Sequence, residues 1–254
     1  MRFWPFKRSR ANYYELLKRL HAFLKPGTYV EIGIRQGESF EFARAAAHAI
    51  GVDPNPLLRY PLWSEAKVFP MTSDEFFASH DLHKELDGNP VELAFIDGMH
   101  LFEFALRDFI NLERYARRSS TILVHDCYPI DAITASRERT TQTWSGDVWK
   151  LIVCLKKFRP DLELTTIDVP PTGLGIIRNL DPGSTFLQSR LESICQEFIP
   201  LDFEPIASEK ARHLNRLEND WNRIRILFGV RAKTGVAGVF ESALSAFRGA
   251  STGR

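Results

Sequence analysis

Five short apolar runs, at residues 28–33, 50–53, 67–71, 91–97 and 121–126, alternate with helical patterns at 39–49, from 74 onward and at 102–115. A chain that alternates this way folds into right-handed βαβ units on a mainly parallel sheet. The stretch 102–115 sets Phe102, Leu106, Phe109, Ile110 and Leu112 at the three-to-four spacing of one buried helix face. Residues 147–158 carry a further helical pattern. Ser73 is expected to cap the helix that starts at Asp74, with Asp74 and Glu75 in its first turn. Two more runs, 162–169 and 173–178, are joined only through Pro170, Pro171 and Thr172. That gap is too short for a crossover helix, so these two strands are expected to pair antiparallel. The expected fold class is therefore α/β, doubly wound, with a terminal hairpin that a plain dinucleotide-binding domain does not need.

In such a sheet the chemistry gathers where strands end. Residues 31–37, Glu31-Ile32-Gly33-Ile34-Arg35-Gln36-Gly37, join the first strand to the helical pattern at 39–49. Glycine there lets a ligand approach the backbone, and a helix start favours anionic groups. The full G-x-G-x-x-G of a pyrophosphate loop is absent, since Gly33 and Gly37 are four apart. Asp53 closes the second strand, 22 residues after Glu31, where a carboxylate can accept bonds from both hydroxyls of a ribose. Asp97 closes the fourth strand, followed by His100 and Glu103; His125 and Asp126 close the fifth. Two carboxylates with imidazoles beside them can hold a divalent cation that activates a hydroxyl. Alternatively His100 takes the hydroxyl proton directly. His125 fits a hydrogen-bonded structural role equally well. Asp147 is suited to cap the helix it precedes, and residues 134–143 form a polar loop able to cover a pocket.

The pattern Glu31-x-Gly33-x-x-x-Gly37 after a strand, with Asp53 after the next, resembles the class I S-adenosylmethionine-dependent methyltransferases over residues 26–180. The resemblance implies a Rossmann-like, seven-stranded, mostly parallel sheet with one antiparallel strand. It implies S-adenosylmethionine as cofactor, with Glu31, Gly33 and Gly37 near its methionine part. Asp53 would then sit on the ribose, Ser73 and Asp74 near the adenine, and Asp97 near the cofactor's amino group. Arg35 stands where many relatives carry a middle glycine. Residues 95–100, with His125-Asp126 later, resemble more closely the small-molecule O-methyltransferases of the macrolide-sugar and catechol type. Metal-dependent members hold magnesium on acids that end strands four and five, which here are Asp97 and Asp126. Their third ligand, often Asn or Asp, is Cys127 here, and thiols suit magnesium poorly. The implied catalytic residues are His100, Asp97 and Asp126, with magnesium left open. The implied reaction is in-line methyl transfer to a small-molecule hydroxyl, of a sugar or another secondary metabolite.

Charge narrows the competing functions. The formal net charge of +1 conceals an acidic middle: residues 26–207 carry 17 basic and 27 acidic groups. Residues 1–25 carry seven basic groups and one acidic, and residues 208–254 nine and four. An acidic core argues against a nucleic-acid partner. No apolar run approaches the ~18 residues of a membrane span, and the three cysteines, Cys127, Cys154 and Cys195, form no framework. A cytoplasmic protein is expected from these absences. A nicotinamide-dependent oxidoreductase and a non-catalytic cofactor-binding protein are the competing readings. The expected organisation is a basic arm and helix at 1–25, the cofactor-binding core at 26–180 and a helical extension at 181–254. Within the extension, helices are expected at 208–228 and 236–247, and a homodimer is expected from its apolar stripe.

Overall fold

The central strand β1 (Thr28–Ile32) is buried along its whole length, as a strand with helices on both faces of its sheet must be. The computed structural model describes residues 12–229, in two compact units of which the first ends at Glu218 and the second begins at Asn219. The remaining strands of the first unit are β2 (His48–Val52), β3 (Ala66–Phe69), β4 (Val91–Ile96), β5 (Ala116–His125), β6 (Glu163–Asp168), β7 (Leu174–Arg178) and β8 (Arg216–Glu218). Its helices are α1 (Tyr13–Leu24), α2 (Ser73–Ser79), α3 (Leu82–Glu85), α4 (Phe102–Arg114), α5 (Trp149–Phe158), α6 (Phe186–Ser189), α7 (Leu191–Phe198), α8 (Glu204–Ala207) and α9 (Lys210–His213). The described part of the second unit holds one helical turn, α10 (Trp221–Ile224), and a 3-10 turn, Arg225–Phe228, ended by Gly229. No helix among the described residues is long and apolar enough to cross a membrane.

The sheet order is β3-β2-β1-β4-β5-β7-β6-β8. The strand order reverses between β1 and β4, so a crevice opens above their carboxyl ends. Strand β7 runs antiparallel to both β5 and β6, which is the expected hairpin. The helix expected at 102–115 is α4, and Phe102, Leu106, Phe109, Ile110 and Leu112 are all buried as its spacing requires.

Three local expectations differ from what is observed. The helix expected over 39–49 is a single 3-10 turn, Phe40–Ala43. The amides of Ala47 and His48 both bond the carbonyl of Gly27, at 2.9 and 3.1 Å, and draw the chain into β2 before a second turn can form. Thr72, not Ser73, caps α2, because its hydroxyl and the Glu75 side chain form a reciprocal capping box. The helix expected over 208–228 is broken by β8, an eighth strand parallel to β6. Asn215, at φ 50°, ends α9, its carbonyl accepts the Thr166 amide at 3.0 Å, and Arg216 pairs with Asp168 at 2.7 Å. The segment expected at 236–247 and residues 1–11 of the basic arm lie outside the described residues.

Candidate active site

The loop after β1 is shaped by one crossing. The Gly33 amide bonds the Val52 carbonyl at 2.8 Å, and Gly33 has φ 87°. A Cβ there would lie 2.2 Å from the Asp97 carbonyl oxygen, so only glycine lets β1 exit over the end of β4. Beneath the loop Glu31 is fully buried; it accepts hydrogen bonds from Tyr29 Oη at 2.7 Å and Ser39 Oγ at 2.5 Å. Burial raises its carboxyl to about 8 against those bonds, with Asp97 and Asp53 adding to the rise. Asp53 leans into the same loop. Its Oδ2 accepts the Arg35 amide at 2.7 Å and its Oδ1 the Asn55 amide at 2.8 Å. Gly37 closes the turn with an amide bond to Ile34 at 2.7 Å. Thus Glu31, Gly33, Gly37 and Asp53 belong to one hydrogen-bonded loop at the ends of β1 and β2.

The ends of β4 and β5 bring the second group together. His100 Nδ1 lies 2.5 Å from Asp126 Oδ2, and His100 Nε2 lies 3.8 Å from Asp97 Oδ1. His125 donates from Nδ1 to Asp97 Oδ1 at 3.0 Å and lies 3.4 Å from Asp126. Thr172 donates its hydroxyl to Asp126 Oδ1. Both His100 (φ 58°) and Asp126 (φ 64°) adopt the left-handed region, a strained conformation for such residues that gathers at functional sites. Burial opposes charge on His125, but the carboxylates of Asp97 and Asp126 override it and lift it to about 10. For His100 burial acts in the same opposing sense, and pairing with Asp126 and Asp97 still raises it. Burial would raise the Asp126 carboxyl; the two imidazoles reverse that and hold it well below the usual carboxylate range.

Asp97, His100 and Asp126 each offer one ligand atom, and these lie within 4.8 Å of one another. Two carboxylates with an imidazole suit a divalent cation. Cys127 is not among them. It is wholly buried, its Sγ turned to the carbonyls of Val124 and His125, and burial pushes its thiol far up.

Above the cluster is a cavity of about 280 Å³ whose lining includes Tyr13, Arg35, His100, Arg139, Trp144 and Thr172. Tyr13 comes from the start of α1 and stacks on His125, with ring centroids 3.9 Å apart. Trp144 stacks on His100 at 5.3 Å and anchors its indole N–H on the Ser136 carbonyl. Neither Tyr13 nor Thr172 is marked by any motif; an aromatic at a capped helix start is the only sequence sign of the first. Gly146 packs so close to the loop after β4 that a Cβ would lie 1.7 Å from the His100 carbonyl oxygen. Asp147 then caps α4, not the α5 it precedes: its Oδ1 accepts the Phe102 amide at 2.7 Å. Its Oδ2 holds Arg137 at 2.6 Å and Lys150 at 2.9 Å, in a buried network.

Ser73 and Asp74 stand at the start of α2, and Asp108, the partner of Ser73, lines a small pocket together with Asp97, His100 and Asp126. Asp74 is held by both arms of Arg107, at 2.8 and 2.7 Å. Ser73 faces Asp108, whose carboxyl burial raises to about 7.

Residues 30–127, which run from β1 through the end of β5, match the model of a family described as a methyltransferase domain. Over that stretch the chain is similar to a methyltransferase domain. Solved structures agree on the fold. The cofactor-bound structure of Rv0187 from MTB is 18% identical, with a TM-score of 0.53 over 69% of this chain and 83% of that one. The SAH-bound methyltransferase PaMTH1 of Podospora anserina is 14% identical, with a TM-score of 0.52 over 66% and 78%. The O-methyltransferase TomG of Streptomyces achromogenes, involved in tomaymycin synthesis and solved with SAM, is 14% identical, with a TM-score of 0.50 over 66% and 80%. No curated protein sequence matches the chain. The matched stretch includes both the glycine loop and the Asp97–His100–Asp126 cluster.

Proposed function

We propose that the protein is an S-adenosylmethionine-dependent O-methyltransferase acting on the hydroxyl of a small molecule, a sugar or another secondary metabolite. The observation that carries this is the convergence of Asp97, His100 and Asp126 on one point beside the glycine loop. Methyl transfer from a sulfonium needs alignment of three atoms and, for a hydroxyl acceptor, removal of one proton. The cofactor lies over the loop, with Asp53 on the ribose, Glu31, Gly33 and Gly37 under the methionine part, and Ser73 and Asp74 toward the adenine. Asp97 borders both cofactor and acceptor. The cavity above the cluster takes the acceptor, and its size suits a small one. Trp144 and Tyr13 form its walls and exclude water. His100, oriented by Asp126, receives the hydroxyl proton; His125 holds Asp97 in place. Alternatively, Asp97, His100 and Asp126 would hold a divalent cation, which when bound would lower the pKa of a hydroxyl in place of proton transfer to His100.

Calorimetry with S-adenosylmethionine tests the cofactor reading. Asp53→Ala is expected to weaken binding by about tenfold or more, the worth of two hydrogen bonds to a charged group. Unchanged affinity contradicts the ribose assignment. Equilibrium dialysis with magnesium and with manganese, comparing the parent with Asp126→Ala, reads the cation site without any need for activity.

A further inference from the structure

Lys18, His21 and Ala22 lie at i, i+3 and i+4 on one face of helix α1, and Lys25 follows as its left-handed C-cap. The rest of its apolar side, Leu16, Leu17 and Leu20, is buried. Opposite that face stands the 3-10 turn Phe40–Ala43, the shortened crossover between β1 and β2. A groove of about 600 Å³ lies between the two, lined by Ala22, Phe42, Ala43, Ala45 and Ala46 among others. That volume and a mostly apolar lining with a few polar groups are the marks of a small-molecule site.

The charge left unpaired in the lining is positive. Lys18 and Lys25 line the groove, and neither has an acidic partner among the described residues. Glu41, the carboxylate in the lining, is held by both arms of Arg44 at 2.7 and 2.8 Å. His21 lies along the floor, 6% exposed, and neither ring nitrogen has a hydrogen-bond partner. Burial pushes this imidazole down to about 4, so the ring is neutral, with one donor and one acceptor to offer. Buried polar atoms are normally paired, and an unpaired one calls for an explanation.

We propose that this groove is a second ligand site, distinct from the catalytic cleft, that takes an amphipathic monoanion. The apolar body lies along Ala22, Phe42 and Ala46. The anionic head sits between Lys18 and Lys25, over the floor that His21 forms. None of these residues belongs to the Asp97–His100–Asp126 cluster, so the site stands whether or not methyl transfer is the reaction.

Titration calorimetry of the full chain with octanoate tests the proposal. One saturable site is expected, with octan-1-ol weaker by about tenfold because it lacks the charge. Ala22→Phe and Ala45→Phe fill the groove from exposed positions and are expected to weaken octanoate binding by about tenfold while the thermal midpoint holds. The double variant Lys18→Glu, Lys25→Glu is expected to lose binding to the same degree. Absence of saturable octanoate binding overturns the proposal. So does equal binding of octan-1-ol, or full binding by both groove-filling variants. A dimer that closes the groove, seen as a concentration-dependent mass in light scattering that Ala45→Phe abolishes, overturns it as well.

Discussion

Gly33 is the residue on which the loop after β1 turns. Its φ of 87° and the 2.2 Å from a Cβ to the Asp97 carbonyl leave no room for any side chain. Gly33→Ala must either push β1 off β4 or distort the Asp97 carbonyl. It is expected to abolish measurable S-adenosylmethionine binding and to destabilise the fold by about 3 kcal/mol, a strained-backbone cost with a clash added. Urea unfolding reads the second effect and calorimetry the first; wild-type values in both contradict the close crossing. Glu31 and Asp97 show how the same type of group serves two ends. Glu31 is sealed under Tyr29 and Ser39 and orders the loop from below. Asp97 is partly open and shared between His100 and His125.

Elements are joined here by a few buried charges. Asp147, one residue past Gly146, holds the start of α4 through Phe102, the loop 134–143 through Arg137 and its own helix through Lys150. Lys150 also donates to the Ile199 carbonyl at 2.7 Å, tying α5 to the end of α7. Asp147→Ala leaves the Lys150 ammonium buried without its counter-charge and the α4 start uncapped. Loss of one partner of a buried pair costs about 3–5 kcal/mol, and chemical denaturation is the measurement. A loss under about 1 kcal/mol on that scale would mean that water reaches Lys150. Because the same carboxylate orders the wall that carries Trp144, acceptor turnover should fall in Asp147→Asn even where the fold persists.

Across the whole molecule, His21 sets a pH dependence that owes nothing to the Asp97–His100–Asp126 cluster. Its ordinary value is 6.5 and burial lowers it to about 4 in the folded chain. Between those values the unfolded chain binds a proton that the folded chain refuses. Stability is therefore full above about pH 6.5 and declines as pH falls toward about 4, by about 3 kcal/mol from this group. Thermal unfolding across that window checks the slope, and His21→Phe should flatten it; an unchanged slope assigns the dependence to other groups.

The alternation of strands with helices and the acids near the strand ends were legible in the sequence. Apolar runs of four to seven residues pack as parallel strands with their carboxyl ends on one edge, and Glu31, Asp53, Asp97 and Asp126 stand at or beside the ends of four of them. The hairpin was set by the shortness of the gap at 170–172. Other features depended on contacts between distant segments. Gly27 captures Ala47 and His48 and cuts short a helix whose own pattern was good. The strand β8 spans three half-exposed or exposed residues, and only β6 beside it makes it a strand. Asp147 caps a helix 45 residues upstream instead of its own. Tyr13 reaches His125 because α1 folds back to the Pro170 carbonyl, and no local periodicity encodes that return. Periodicity and spacing report what a segment buries and where a strand must end. Which side chain meets which depends on atoms far apart in the chain, and only tertiary packing brings those together.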